Sequence, residues 1–296
     1  MLYLNERPNK RKISYRHKEF TRCPVCSYDF QREEMLTGGG RLIAGKLTDE
    51  LRRLYDKNDK FGKIYPLAYM VSVCPKCLYA TYPKDLNKIT LEEINKIAET
   101  NEARMNLLRK YFGDANFEND RDLMLGAASY LLALDCYSHR GRDVAPTVKK
   151  AISSIRAAWL FDDLSKETSS KTYKKFSDFF YIKAYKYYNH TLGLLQSGSE
   201  NLEDAGHIGP DYEKNWGFDG ILYMCAVLTV KFGANEKDIN KRIKNFEITK
   251  RYLSKLFGSG KTSKTKPGDL MEMIKNLYDK INEMINEWYQ LEGAEK

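Results

Sequence analysis

The sequence predicts a mostly α-helical protein with a small cysteine-rich module near its N-terminus and helical hairpins after it. Two CPxC pairs lie in the first 77 residues, a helix-capping sequence begins at Thr90, and helical periodicity interrupted by glycine follows. These features divide the chain into a basic arm (1–22), a metal-binding module (23–90) and a helical domain (91–296).

Composition indicates a globular protein. Hydrophobic residues make up 42% and charged residues 30% of the 296 residues. The apolar run Ile221–Leu228 is too short to cross a bilayer. The start, MLYLNERPNKRK, turns polar after four residues, which does not fit a secretory signal. We therefore expect a cytoplasmic protein without a membrane span.

The net charge of +9 is unevenly distributed. Residues 1–90 hold 18 Lys/Arg and 10 Asp/Glu, whereas residues 91–296 hold 31 and 30. The basic arm therefore offers Arg11, Lys12, Arg16 and Lys18 as candidate partner-binding residues. Such an arm binds nucleic acid through phosphates or is simply a solvated tail.

Two cysteine pairs carry the strongest chemical signal. Four thiolates from two such knuckles complete a tetrahedral set around one metal ion and leave no open position, so a structural zinc ion is predicted. Iron is the alternative metal, whereas the isolated Cys136 and Cys225 are expected to be buried thiols. The predicted ligands are Cys23, Cys26, Cys74 and Cys77.

Between the pairs, the sequence predicts a tight turn and a short helix. Gly38, Gly39 and Gly40 supply the turn. Thr48 is a suitable N-cap, and the acidic residues that follow it suit the first turn of a helix.

The remainder reads as helices. In the segment Thr90-Leu-Glu-Glu93, the threonine hydroxyl and the glutamate carboxylate form a capping box. Two stretches, 119–164 and 218–257, each read as a helix, a turn and a second helix, which favours a tetratricopeptide-like array over an irregular bundle. Tyr181, Tyr185 and Tyr188 are candidate partner-binding residues on one helix. The predicted spans are 91–112, 119–140, 146–164, 171–196, 218–232, 236–257 and 268–292.

The stretches CPVCSYDF, TGGGRLIAGKLTDELRRLY and YPLAYMVSVCPKCLYATYPKD resemble a bacterial family, number 2225 among the domains of unknown function. The matching positions are the two knuckles with Phe30 after the first and Tyr79-Ala80 after the second; Ser27 departs from the glycine usual in such knuckles. The resemblance implies metal binding and a tetratricopeptide-like C-terminal part, and implies no reaction. Helical repeat proteins of this general kind in spirochaetes include scaffolds around the flagellar motor.

No arrangement of histidines, cysteines or serines indicates catalysis, so the chain is not expected to be an enzyme. The best-fitting hypothesis is a zinc-stabilised scaffold that binds another protein in a helical groove, in assembly of a cell-envelope or flagellar-motor complex. The alternative is a nucleic-acid-binding regulator that uses the basic arm and the metal module. A third hypothesis is an enzyme with a site near His207, in the long segment 197–217.

Overall fold

The computed structural model describes residues 12–257 and 268–294. Contacts within the chain group it into two compact units. Unit 1 takes in the chain up to Thr48 and Arg53–Cys136, and unit 2 takes in Asp49–Arg52 and the chain from Tyr137 onward. The predicted division into an arm, a metal module and a helical domain stays a prediction.

Unit 1 contains short antiparallel strand pairs, each formed by two strands. The strands are Ser14–Arg16 (β1), Thr21–Arg22 (β2), Asp29–Phe30 (β3), Glu33–Met35 (β4), Ile43–Leu47 (β5), Arg53–Asp56 (β6), Ser72–Val73 (β7) and Ala80–Thr81 (β8). β1 pairs with β4, β2 with β3, β5 with β6, and β7 with β8.

The short helix predicted after Thr48 is wrong. The chain instead passes from β5 through a turn into β6, and the two strands pair antiparallel. Leu51, in this turn, has φ +58°, a left-handed conformation that a helix cannot continue through.

Helices make up most of the described chain, so the predicted mostly α fold is confirmed. They are Leu91–Glu99 (α1), Asn101–Phe112 (α2), Leu123–Tyr137 (α3), Pro146–Thr168 (α4), Lys171–Gln196 (α5), Leu202–Ala205 (α6), Gly217–Phe232 (α7), Ile239–Phe257 (α8) and Gly268–Ala294 (α9).

The capping box predicted at Thr90 is present. The Thr90 amide donates to the Glu93 carboxylate at 2.8 Å, and the Glu93 amide donates to the Thr90 hydroxyl at 3.3 Å. The single helix predicted over 91–112 is broken at Thr100, which separates α1 from α2. The Ile97 carbonyl at this break accepts a hydrogen bond from the Arg104 side chain at 2.8 Å.

Close backbone packing places α3 against the turn Pro66–Tyr69 in unit 1. A Cβ at Gly126 would lie 2.4 Å from the Cβ of Ala68, so only glycine fits there. One turn further along α3, the Tyr130 hydroxyl donates to the Leu67 carbonyl at 2.7 Å. The helix is therefore fixed to the segment that leads into β7.

Unit 2 packs its longer helices in chain order: α4 on α5, α5 on α7, α7 on α8 and α8 on α9. The core of the first pair is aromatic, with Phe161 stacked on Phe180 at a centroid distance of 5.4 Å. Both side chains are buried.

Two buried charged side chains hold the long segment 197–217. The Glu200 carboxylate accepts hydrogen bonds from the amides of Thr147 and Val148, at 3.1 and 3.4 Å, and so caps the N-terminus of α4. The Arg156 guanidinium donates to the carbonyls of Gly209, Pro210 and Asp211. The segment is thus built into unit 2 by long-range polar contacts.

One helical segment of the described chain, Gly217–Asn235, is long and apolar enough by length and composition to cross a membrane. Inside this structure, 56% of that window is buried. A core helix passes the same test, and α7 has that role in unit 2, where it packs on α5 and α8.

Candidate metal centre

Two hairpins of identical backbone design carry the four cysteines. In the first, the Cys23 amide donates to the Tyr28 carbonyl and the Ser27 amide donates to the Cys23 carbonyl, both at 2.9 Å. In the second, the Cys74 amide donates to the Tyr79 carbonyl and the Leu78 amide to the Cys74 carbonyl, again at 2.9 Å. Each loop is closed by a two-residue strand pair, β2 with β3 and β7 with β8.

The fifth residue of each knuckle has a left-handed backbone. Ser27 has φ +57° and Leu78 has φ +58°. Glycine adopts this conformation without steric cost, whereas other residues are disfavoured. Both hairpins therefore keep the turn that the knuckle requires although neither has glycine there.

The two knuckles bring their sulfur atoms together. The Sγ atoms of Cys23 and Cys77 lie 3.6 Å apart, and those of Cys26 and Cys74 also lie 3.6 Å apart. All four lie within 4.8 Å of one another. Sulfurs bound to one tetrahedral zinc ion at about 2.3 Å stand about 3.8 Å apart, whereas a disulfide needs about 2.05 Å. The geometry fits a shared metal ion and not disulfides.

The electrostatics of the cluster favour a cation. Hydrogen bonds from Cys74 and Cys77 lower the pKa of the Cys23 thiol, and hydrogen bonding with Cys23 raises the pKa of the other two. Without a cation, the cluster therefore favours one thiolate at Cys23 and protonated thiols at Cys74 and Cys77. A divalent ion removes this restriction because it favours the thiolate form of every ligand.

The second knuckle is hydrogen-bonded to the helices of unit 1. Arg104 on α2, which is 3% exposed, donates to the Cys77 carbonyl at 3.2 Å and to the Asp135 carboxylate on α3 at 2.9 Å. The Ala80 amide donates to the Cys136 sulfur at 3.3 Å. Sequence reasoning missed Arg104, since its acceptors lie 27 and 31 residues away and no local pattern relates them.

Among the described residues, this cluster is the one group of three or more His, Cys, Asp and Glu side chains arranged to hold a metal ion. Four cysteine ligands leave no coordination position for a substrate, so the site can stabilise structure but offers no open metal for catalysis.

The candidates of the basic arm have different surroundings. Arg11 lies outside the described residues, and Lys12 and Lys18 are exposed. The Arg16 guanidinium donates to the carbonyls of Glu118 and Asn119, at 2.8 and 2.7 Å, and lies 3.7 Å from the Glu33 carboxylate. Arg16 is therefore engaged within unit 1, and nucleic-acid binding by this arm stays a prediction.

The three tyrosines predicted as a partner surface do not share one exposed face of α5. The Tyr181 hydroxyl donates to the Glu50 carboxylate at 2.8 Å, and half-buried Tyr185 packs near Phe232. Tyr188 is 1% exposed, so its side chain cannot contact a partner on this surface. The prediction that Tyr188 binds a partner is therefore wrong, because its side chain lies on the buried face of α5.

A cleft of about 430 Å³ lies in unit 2 beside Glu50 and is lined by apolar and charged residues, among them Val227, Leu277 and Lys280. The Glu50 carboxylate at its edge accepts hydrogen bonds from Trp159, Tyr181 and Lys231. A carboxylate held by three donors stabilises the surrounding packing. The expectation that the chain is not an enzyme stays a prediction.

The structure is that of a mostly helical protein with a four-cysteine cluster near its N-terminus that could hold a metal ion. The family model described as "Uncharacterized protein conserved in bacteria (DUF2225)" matches residues 16–281, and the chain belongs to this family. The resemblance noted in the sequence is thus confirmed. A protein of Borreliella burgdorferi, described as "Uncharacterized protein", is 42% identical over 272 residues, which cover 92% of this chain and 97% of that protein. No solved structure matches the chain.

Proposed function

We propose that the chain is a zinc-stabilised helical scaffold that binds another protein. The observation that carries the first half is the cluster of four sulfurs within 4.8 Å of one another, supplied by two knuckles 51 residues apart in sequence (74 − 23). Zinc favours such closed four-thiolate sites and stabilises the fold around them. Iron is the competing metal for the same ligands.

Elemental analysis of the full chain, purified under reducing conditions, distinguishes these metals. One zinc ion per chain is expected, with loss of the metal in Cys74→Ser. Cys225→Ala is the matched control, because Cys225 is buried in unit 2 and donates to the Tyr188 carbonyl at 3.2 Å. Bound iron with visible absorption would replace zinc in the proposal, and absence of any metal would refute it.

Two features of unit 2 support a scaffold. Its long helices pack on one another in chain order, as in tetratricopeptide-like arrays, which present a binding surface built from successive helices. Long-range contacts of Glu200 and Arg156 tie the segment 197–217 to α4 within the same unit. A preorganised surface loses less entropy when a partner binds.

The most apolar exposed part of α5 is the face next to the predicted tyrosines. Phe179 is 51% exposed and Ile182 is 46% exposed. Exposed Lys175 and Lys186 stand one turn before and one turn after them, at spacings of four, three and four residues, so all four share one face. We name this face the α5 patch (Lys175, Phe179, Ile182 and Lys186).

The chemistry of the α5 patch specifies its partner. Exposed aromatic and branched side chains dock on apolar side chains, and flanking lysines favour carboxylates around them. The proposed partner is therefore an apolar protein segment flanked by acidic residues. Its complex is proposed to take part in cell-envelope or flagellar-motor assembly.

A photo-crosslinking amino acid at position 182, introduced in the native bacterium, tests this surface. We expect a defined crosslinked partner, and loss of that partner from pull-downs with Phe179→Asp/Ile182→Asp. Leu91→Asp is the control, because Leu91 is 74% exposed on α1 and lies outside the α5 patch. Equal recovery with all variants would refute the α5 patch as the binding surface.

A further inference from the structure

Two neighbouring helices of unit 2 carry opposite charges on their exposed faces. On α8, exposed cations at spacings of three, seven and four residues lie opposite the buried Phe246 and Leu253; on α9, exposed carboxylates lie opposite the buried Ile274 and Ile281. We name them the basic stripe (Lys241, Lys244, Arg251 and Lys255) and the acidic stripe (Glu272, Asp279, Glu283 and Glu287).

The sequence around each helix has the same bias. Residues 237–266 hold 10 Lys/Arg and 2 Asp/Glu, whereas residues 267–296 hold 3 and 7. The net charge of residues 91–296 is close to zero, but two adjacent segments within this range carry net charges of opposite sign. Such separation provides complementary fields for association.

The stripes are not neutralised by each other within the described chain. Lys241 lies 3.7 Å from Asp238, and no carboxylate of a described residue lies within ion-pair distance of Lys244, Arg251 or Lys255. The acidic stripe likewise forms no ion pair with a described residue.

The two helices run antiparallel with a register that brings two basic residues level with two acidic ones. Phe246 packs edge-on against Trp288 at 4.7 Å, and Phe257 packs against Tyr278 at 5.7 Å. A residue of α8 and a residue of α9 therefore lie at the same level along the helix pair when their numbers add up to 534 or 535, as they do for these two aromatic pairs. This places Arg251 level with Glu283 and Lys255 level with Asp279. Lys244 lies within about one turn of the level of Glu287.

From this arrangement, we propose that a second copy of the chain docks on α8 and α9 to form a two-fold dimer. Rotation by a half turn about an axis parallel to the helices leaves positions along the axis unchanged. It therefore sets α8 of one copy over α9 of the other at the same level. The two level pairs, Arg251 with Glu283 and Lys255 with Asp279, then each form twice, as an isologous interface requires.

The same arrangement disfavours a polyanion on α8. A nucleic acid that followed the basic stripe would lie beside a level row of carboxylates on the neighbouring helix, and like charges repel. A second copy instead presents an opposite charge to both stripes at the levels of Arg251 and Lys255. Exposed ion pairs are individually weak and are screened by salt, so the dimer is expected at low ionic strength.

Sedimentation velocity of the full metal-loaded chain at 50 mM and 500 mM NaCl tests the proposal. A dimer is expected at the lower salt and a monomer at the higher. Arg251→Glu/Lys255→Glu and, separately, Asp279→Lys/Glu283→Lys should each be monomeric at low salt. The control Lys57→Glu/Lys60→Glu makes the same charge change at exposed residues of unit 1 and should dimerise as the parent chain does.

An equimolar mixture of the two reversed variants is the decisive measurement. At the reversed levels, Arg251→Glu/Lys255→Glu has acidic residues on both helices and Asp279→Lys/Glu283→Lys has basic residues on both. The mixture therefore restores the two level pairs and should form a heterodimer. A monomeric parent chain at low salt, or a mixture that stays monomeric, overturns the proposal. Tighter binding of single-stranded nucleic acid by Asp279→Lys/Glu283→Lys, with no dimer of the parent chain, would instead assign α8 to a polyanion and also overturn it.

Discussion

Arg104 donates a hydrogen bond to the carbonyl oxygen of Cys77, one of the four clustered cysteines, at 3.2 Å. The same guanidinium forms an ion pair with Asp135 and donates a hydrogen bond to the Ile97 carbonyl, next to the break between α1 and α2. One buried cation thus joins the second knuckle to α1, α2 and α3. The four-cysteine cluster and the first helices are therefore expected to be energetically coupled.

Replacing Arg104 by methionine should lower the free energy of unfolding by about 3 kcal/mol, near the lower limit for breaking a buried ion pair because Asp135 stays partly exposed. Urea denaturation followed by circular dichroism measures the change. Arg109→Met, at an exposed position of the same helix, should change stability by less than about 0.5 kcal/mol. Equal losses in both variants would contradict the role given to Arg104.

Glycine at the two left-handed positions should have opposite effects. Ser27→Gly removes the strain of φ +57° and loses little packing, so we expect a gain of about 0.5 kcal/mol or more. Leu78→Gly relieves the same strain but removes a side chain that is 6% exposed, with an expected net loss of about 1–2 kcal/mol. Thermal unfolding of the metal-loaded variants measures both, and a shift of the same sign in the two would refute this account.

Metal removal should open both knuckles together. A chelator is expected to abolish hydrogen-exchange protection of the Cys23 and Cys74 amides, because the hairpins that bond these amides are short and depend on the shared ion. The buried amides of α4 serve as the internal reference. Protection that persists at either cysteine after complete metal loss would show that the strand pairs are stable without the ion.

His207 should make stability fall in mild acid. Partial burial, followed by the charge of nearby Arg156, holds the pKa of His207 below its ordinary value. As pH falls through about 6.5, the unfolded chain binds this proton first, so the contribution of His207 is complete above that pH and is lost below it. Urea midpoints at pH 7.5 and 5.5 should differ more for the parent chain than for His207→Gln. An equal difference in the two proteins would exclude His207 as the cause.

Local chemistry was readable from the sequence, because each signal lies within a few residues. The capping box at Thr90 and Glu93 fixes one helix start through contacts three residues apart. The paired cysteines indicated a shared site, since two-residue gaps orient both thiolates of a knuckle toward one ion.

Long-range polar contacts could not be read in the same way. At the break between α1 and α2, the Thr100 hydroxyl donates to the Asp135 carboxylate, 35 residues away. The turn at Leu51 joins β5 to β6, which pair antiparallel. Tyr188 was placed on the surface because periodicity alone does not say which of two apolar faces of α5 is covered. Contacts with other parts of the chain, which local sequence patterns do not record, accompany each of these features.

The Glu200 carboxylate that caps α4 also limits where the chain can be shortened. Any fragment that stops before Glu200 starts α4 with unsatisfied amides at Thr147 and Val148. Arg156 extends that requirement to Asp211, whose carbonyl it binds. Truncations meant to isolate the first helical hairpin of unit 2 should therefore retain the chain beyond residue 211, although the hairpin itself ends at Gln196.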